Sequence, residues 1–138
     1  MLIIKNIGAV ILAIIIGSAV NMGLVTLGAI LIPAPEGIDP NNLESLKQGI
    51  HLFEFKHYIF PFLAHAVGTL VASFTATMLV TNKQQAFAFG LGCIFLLGGF
   101  AAAYMIPAHF GFVMVDLLFA YLPMAWIGYK LSSRFKSK

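Results

Sequence analysis

From Asn6 to Pro35 the chain carries no charged side chain, and this stretch limits the possible folds more than any other. Ile7 to Ile32 reads as a span of 26 residues. About 20 apolar residues in helical form cross a hydrocarbon core, so this one crosses with some tilt. Hydrocarbon offers no partner for backbone N–H and C=O groups, which leaves a helix as the form the span can take. Lys5 followed by an apolar run, with Gly17-Ser18-Ala19 after it, also fits a leader peptide with a cleavage site. The apolar run continues for a dozen residues beyond Ala19, which favours a retained span. Within it Ala9, Ala13, Gly17 and Asn21 recur every four residues, a spacing that lets another helix approach closely. Ile11, Ile14 and Ile15 fall largely on other faces, suited to lipid.

The rest of the chain has the same character: 60% of residues are hydrophobic and 9% charged, against roughly 25% charged in an average soluble domain. A chain of 138 residues accommodates a few such spans with short connections, so residues 1–138 are expected to form one transmembrane domain. The expected fold is all-α, a four-helix membrane bundle. Its further spans lie at about 58–81, 86–106 and 110–131. Pro61 is expected in the first turn of the second span, where a missing N–H costs little. The fourth closes with Trp126, Tyr129 and Lys130, an aromatic and basic interfacial anchor.

Residues 33–57 form the one long polar segment. Pro33, Pro35 and Gly37 end the first helix, and Asp39-Pro40 reads as an N-cap followed by proline at the first helical position. Leu43, Leu46, Ile50 and Phe53 then recur at helical spacing with Glu44, Lys47 and Gln48 between them. That pattern predicts a short amphipathic helix lying on the outer membrane face. Lys5, Lys83, Lys130, Arg134, Lys136 and Lys138 fall on one side of the spans with no acid among them, and Glu36, Asp39, Glu44 and Glu54 fall on the other with Lys47 and Lys56. By the positive-inside rule both termini are cytoplasmic, in the inner membrane, and the histidine-rich segment faces outward.

Three polar groups lie inside the spans: Asn21, His65 and Asp116. His65 and Asp116 are each six or seven residues in from the outer end of their spans, roughly 10 Å at 1.5 Å per residue. A lone carboxylate in hydrocarbon costs about 2.5–3.5 kcal/mol even on insertion scales, so Asp116 is expected to face the bundle and find a donor. His65 lies on a stripe of small and polar residues (Ala64, Gly68, Thr69, Ala72, Ser73 and Ala76), with Val67, Leu70, Val71, Phe74 and Met78 expected to face lipid. Asn21 lies deeper, on the small-residue face of the first span. Pro123 frees the carbonyl of Phe119 on the side of Asp116. The expected pocket comprises Asn21, His65 and Asp116, with Tyr104 near the outer end of the third span as its fourth member. The bland alternative is that these groups bond to one another and hold the helices in register.

Other chemistries are weakly signalled. His51, Glu54 and His57, with His109 on another turn, are of metal-binding type, but residues 51 and 57 stand about 120° apart on a continuous helix. No metal site or cofactor is assigned. Neither Ser18 nor Ser73 sits in a strained glycine-flanked turn that exposes a nucleophile, no phosphate-cradling loop is present, and no catalytic residue is assigned. Cys93 is the sole cysteine, so no intrachain disulfide forms. The net charge of +3 sits at the membrane edges, without the aromatic-interleaved patch of a nucleic-acid surface.

The expected function is that of a small inner-membrane bundle, oligomeric or a subunit of a larger assembly, with an outward-facing His/Asp pocket for a proton, cation or small solute. The alternatives are an enzyme acting on a lipid or quinone at the outer leaflet, with residues 39–53 as a lid, and a purely structural subunit.

Overall fold

The computed structural model describes residues 1–136; Lys138, counted above with the basic tail, lies outside them. The described residues form helices α1 (Leu2–Leu31), α2 (Leu43–Gly49), α3 (Phe55–Leu79), α4 (Gln84–Met105), α5 (Phe110–Phe119) and α6 (Leu122–Lys136), with a 3-10 turn at Ile50–Leu52 and no strand. Four segments are long and apolar enough to cross a membrane: α1, α3, α4 and the continuous stretch of α5 and α6.

Helix ends depart from the hydropathy pattern where side chains cap them. Phe55, three residues before the expected start, opens α3. Glu54 caps it by accepting from the His57 backbone, and His57 Nδ1 accepts from the Glu54 N–H at 2.9 Å. This reciprocal box satisfies two orphan donors of the first turn, and it puts Pro61 inside the helix instead of in its first turn. The cap of α2 is Asn42, whose side chain accepts from the Ser45 N–H at 3.1 Å, and not Asp39 as expected. Asp39 closes a turn on the Asn41 N–H at 2.9 Å.

The fourth span is also broken, where one helix over 110–131 was expected. The α-helical pattern lapses at Ala120 and Tyr121 and resumes at Leu122. Pro123 is the cause: it has no N–H for the Phe119 carbonyl, and its ring crowds that carbonyl.

The centre of the bundle is α3, which packs against α1, α4 and α6. Its small residues Ala64, Gly68, Ala72 and Ala76 are buried, which brings neighbouring backbones close. A Cβ at Gly17 of α1 would lie 2.6 Å from the Ala72 Cβ and 2.7 Å from the Gly68 carbonyl oxygen. A Cβ at Gly128 of α6 would lie 2.6 Å from the Leu70 carbonyl oxygen and 3.0 Å from the Phe74 nitrogen. Such packing substitutes for hydrophobic driving force, which is weak between helices in lipid. Gly17 against Ala72 and Gly28 against Phe60 make α1 antiparallel to α3. Gly128 against Ser73, and Ser132 bonded to Thr77 at 2.6 Å, make α6 parallel to it.

One face of α3 corrects the sequence reading. Val67, Leu70, Val71 and Phe74, expected to face lipid, are half-buried, and only Met78 of that set is exposed. The reason is that α6 docks on this side through Gly128. Ile14 of α1, also expected in lipid, packs beside Ala13, Ala76 and Leu91.

Candidate functional site

Asp116 lies on α5 and is the only acidic side chain among the spans. It is 4% exposed. Its two oxygens each lie 2.9 Å from Nδ1 of His65 on α3, and the Tyr121 hydroxyl donates to Oδ2 at 3.0 Å. The His65 and Tyr121 rings stack with centroids 5.6 Å apart and planes at 30°. Local bonds fix the frame: Thr69 Oγ1 donates to the His65 carbonyl at 2.7 Å, and the Ala120 N–H donates to the Asp116 carbonyl at 2.9 Å.

The helix break places Tyr121. On an unbroken helix, residues five apart stand about 140° apart around the axis, too far for one side chain to reach the other. The lapse at Ala120 and Tyr121 turns the phenol back onto the carboxylate. Gly99 of α4 leaves the room it needs, since a Cβ there would collide with the Tyr121 ring and hydroxyl. Tyr121 is 1% exposed. It was absent from the expected pocket because its role depends on the break; Pro123 two residues later was the available signal.

A cavity of about 370 Å³ lies in front of this cluster, lined by Ile14, Ser18 and Asn21 of α1, His65 of α3, and Phe95 and Gly98 of α4, among others. Asn21 and His65 therefore share one cavity, and Asp116 reaches it through His65. Tyr104 does not line it: the side chain is 91% exposed. Gly68, three residues or about 4.5 Å further along α3 than His65, packs against Asn21, so Asn21 lies deeper than the imidazole, as expected. Among the described residues, neither Asn21 nor Ser18 has a side-chain hydrogen bond.

The arrangement orders the chemistry of His65. A carboxylate accepting from Nδ1–H selects one tautomer and orients the ring, leaving Nε2 with a free lone pair on the edge turned from Asp116. The pair can be held as neutral imidazole with carboxylate, or as imidazolium with carboxylate after a proton arrives at Nε2. The buried charge of Asp116 is tolerable because two donors meet it.

Two of the other three histidines serve helix ends. His57 completes the cap of α3, and His109 Nδ1 accepts from the Gly111 N–H at 3.2 Å, capping α5. Glu54 pairs with Lys56 at 3.1 Å on the exposed surface. Among the described residues, no three His, Cys, Asp or Glu side chains come together as a metal would need. Comparison with protein-family models, with characterised proteins and with solved structures finds no match to this chain.

Proposed function

We propose that this small multi-pass membrane protein handles a proton, cation or small polar solute at His65, with Asp116 setting the ring's tautomer and compensating its charge. The observation that carries this reading is the placement of both Asp116 oxygens 2.9 Å from His65 Nδ1, beside a cavity that the same histidine lines. An intramembrane ionisable pair is costly, and a pair serving only as glue contributes little, since measured interhelical hydrogen bonds in membranes average about 0.6 kcal/mol. The charge distribution supports an inner-membrane location with both termini cytoplasmic and α2 lying along the outer face. Gly8 and Gly23 of α1 and Gly90 of α4, with nothing within 4 Å of an added Cβ, leave small-residue positions open to a neighbouring helix, which supports association with further copies or other membrane subunits.

A second reading is favoured by Tyr121. An enzyme acting on a lipid or quinone needs a third positioned group beside an acid–base pair, and the phenol supplies one.

The test is proton movement. A pH gradient imposed across proteoliposomes, followed with a trapped dye, is expected to collapse faster with wild-type protein than with Asp116→Asn. Equal rates, or a wild-type rate no faster than empty vesicles, would remove proton handling.

A further inference from the structure

The cavity before His65 opens sideways. Its rim carries Met22 of α1 at 64% exposure and Ile94 of α4 at 48%, and Ser18 and Gly98 between them are also exposed. α1 and α4 approach each other around Ala13 and Leu91, and the cavity occupies the gap beyond. For helices that cross a membrane, exposed flanks at this level meet acyl chains, so the gap leads into hydrocarbon.

What lies inside is unusual for a surface meeting lipid. The Ser18 hydroxyl and the Asn21 amide, three residues apart on one face of α1, have no partner among the described residues. His65 offers a third group. Unpaired polar groups facing hydrocarbon cost several kcal/mol each in the absence of water or a ligand. The other walls, Ile14, Ile94 and Phe95, are apolar. An apolar cavity of this size with a few convergent polar groups is the ordinary form of a small-molecule site, whose volumes run from about 300 to 1,000 Å³.

The polar groups also select the ligand's head. With Nδ1–H committed to Asp116, a neutral His65 presents an acceptor at Nε2, so the matching group is a hydroxyl that donates. An anionic head is disfavoured because the Asp116 carboxylate sits directly behind the ring. We propose that this cavity binds, from the lipid phase, an apolar-tailed molecule with a neutral hydroxyl-bearing head, the chemistry shared by membrane quinols and long-chain alcohols. The hydroxyl donates to His65 Nε2, Asn21 and Ser18 complete its hydrogen bonds, and the tail leaves between α1 and α4. This rests on the proposed function only in taking His65 as the working group, and it requires no proton flux.

The test uses the full chain in phosphatidylcholine nanodiscs, with empty nanodiscs as background. Radiolabelled decyl-tailed benzoquinol kept reduced, dodecanol, and the dimethyl ether of the quinol are titrated separately, with the nitrogen resonances of His65 recorded. Saturable one-to-one binding of the quinol or the alcohol, with a shift at Nε2, is expected, and the ether should bind at least tenfold more weakly. Quinol alone identifies a ring-bearing ligand; binding of both identifies the hydroxyl as the recognised group. Gly98→Phe should weaken binding at least tenfold without disturbing the Nδ1 signal, because a side chain at Gly98 meets nothing within 4 Å and fills the cavity instead. No saturable binding of either, equal binding of the ether, or indifference to Gly98→Phe overturns the proposal. Proton flux without binding sinks this inference and leaves the proposed function; binding without flux leaves this inference and removes proton handling from the proposed function.

Discussion

His65 Nδ1 is equidistant, at 2.9 Å, from the two oxygens of Asp116, although 51 positions separate the residues in the chain. One ring nitrogen thus serves a whole carboxylate, and each residue removes the main reason the other is costly to bury. His65→Leu leaves Asp116 with Tyr121 as its one donor beyond its own helix, and the loss is expected to be about 1–3 kcal/mol. Replacing both with leucine should cost less than His65→Leu alone, because no unpaired charge remains. Thermal unfolding in detergent of the two single variants and the double variant measures the coupling. Additive losses would mean that the two side chains do not interact in the folded protein.

Tyr121→Phe removes one hydrogen bond and little else, because the ring keeps its place between Gly99 and His65. The expected loss is about 1 kcal/mol, with gradient collapse in proteoliposomes slowed as Asp116 loses its second donor. Tyr104→Phe, at a 91% exposed phenol, should change neither stability nor flux. Equal effects at the two tyrosines would refute the assignment of Tyr121 to the site.

Hydropathy alone made the four spans legible, since runs as long as Ile7 to Ile32 have no other economical fold. The pairing of His65 with Asp116 was legible for a related reason: burying an acid in lipid demands a donor at matching depth, and few donors exist in this chain. Tyr121 was hidden because its position depends on a helix break, and periodicity extrapolates an unbroken helix across Pro123. The half-burial of Leu70 and Phe74 was hidden because one helix's pattern separates small from large side chains, while the number of neighbours around it is a property of the whole bundle. Capping by Glu54 and Asn42 was missed because local side-chain bonds, and not apolarity, decided where α3 and α2 begin.

Glycine substitutions should separate contact faces from open ones. At Gly128 an added Cβ would lie 2.6 Å from the Leu70 carbonyl oxygen. A backbone atom cannot swing aside, so Gly128→Ala must push α6 from α3 at a cost of about 1–3 kcal/mol. At Gly8 and Gly23 of α1 nothing lies within 4 Å of the added atom, and alanine there should be neutral or slightly stabilising through helix propensity. Unfolding temperatures of the three variants check this. A Gly128→Ala protein as stable as wild type would mean that α6 does not dock on α3 at this point.

Orientation follows from charge and is open to direct labelling. Lys5, Lys83, Lys130 and Arg134 share one side of the bundle, and Glu36, Asp39, Glu44 and Glu54 the other. Short basic segments resist translocation, so the first side is expected to stay in the cytoplasm. In a Cys93→Ala background, Asn41→Cys lies just before α2 on an exposed turn and Ser133→Cys lies near the end of α6. A membrane-impermeant maleimide added to intact cells with a permeable outer envelope should label position 41 and reach position 133 only after lysis. The reverse pattern would invert the bundle and put the segment around α2 in the cytoplasm. Labelling of both positions in intact cells would place them on the same face and contradict the span count, since three crossings separate them.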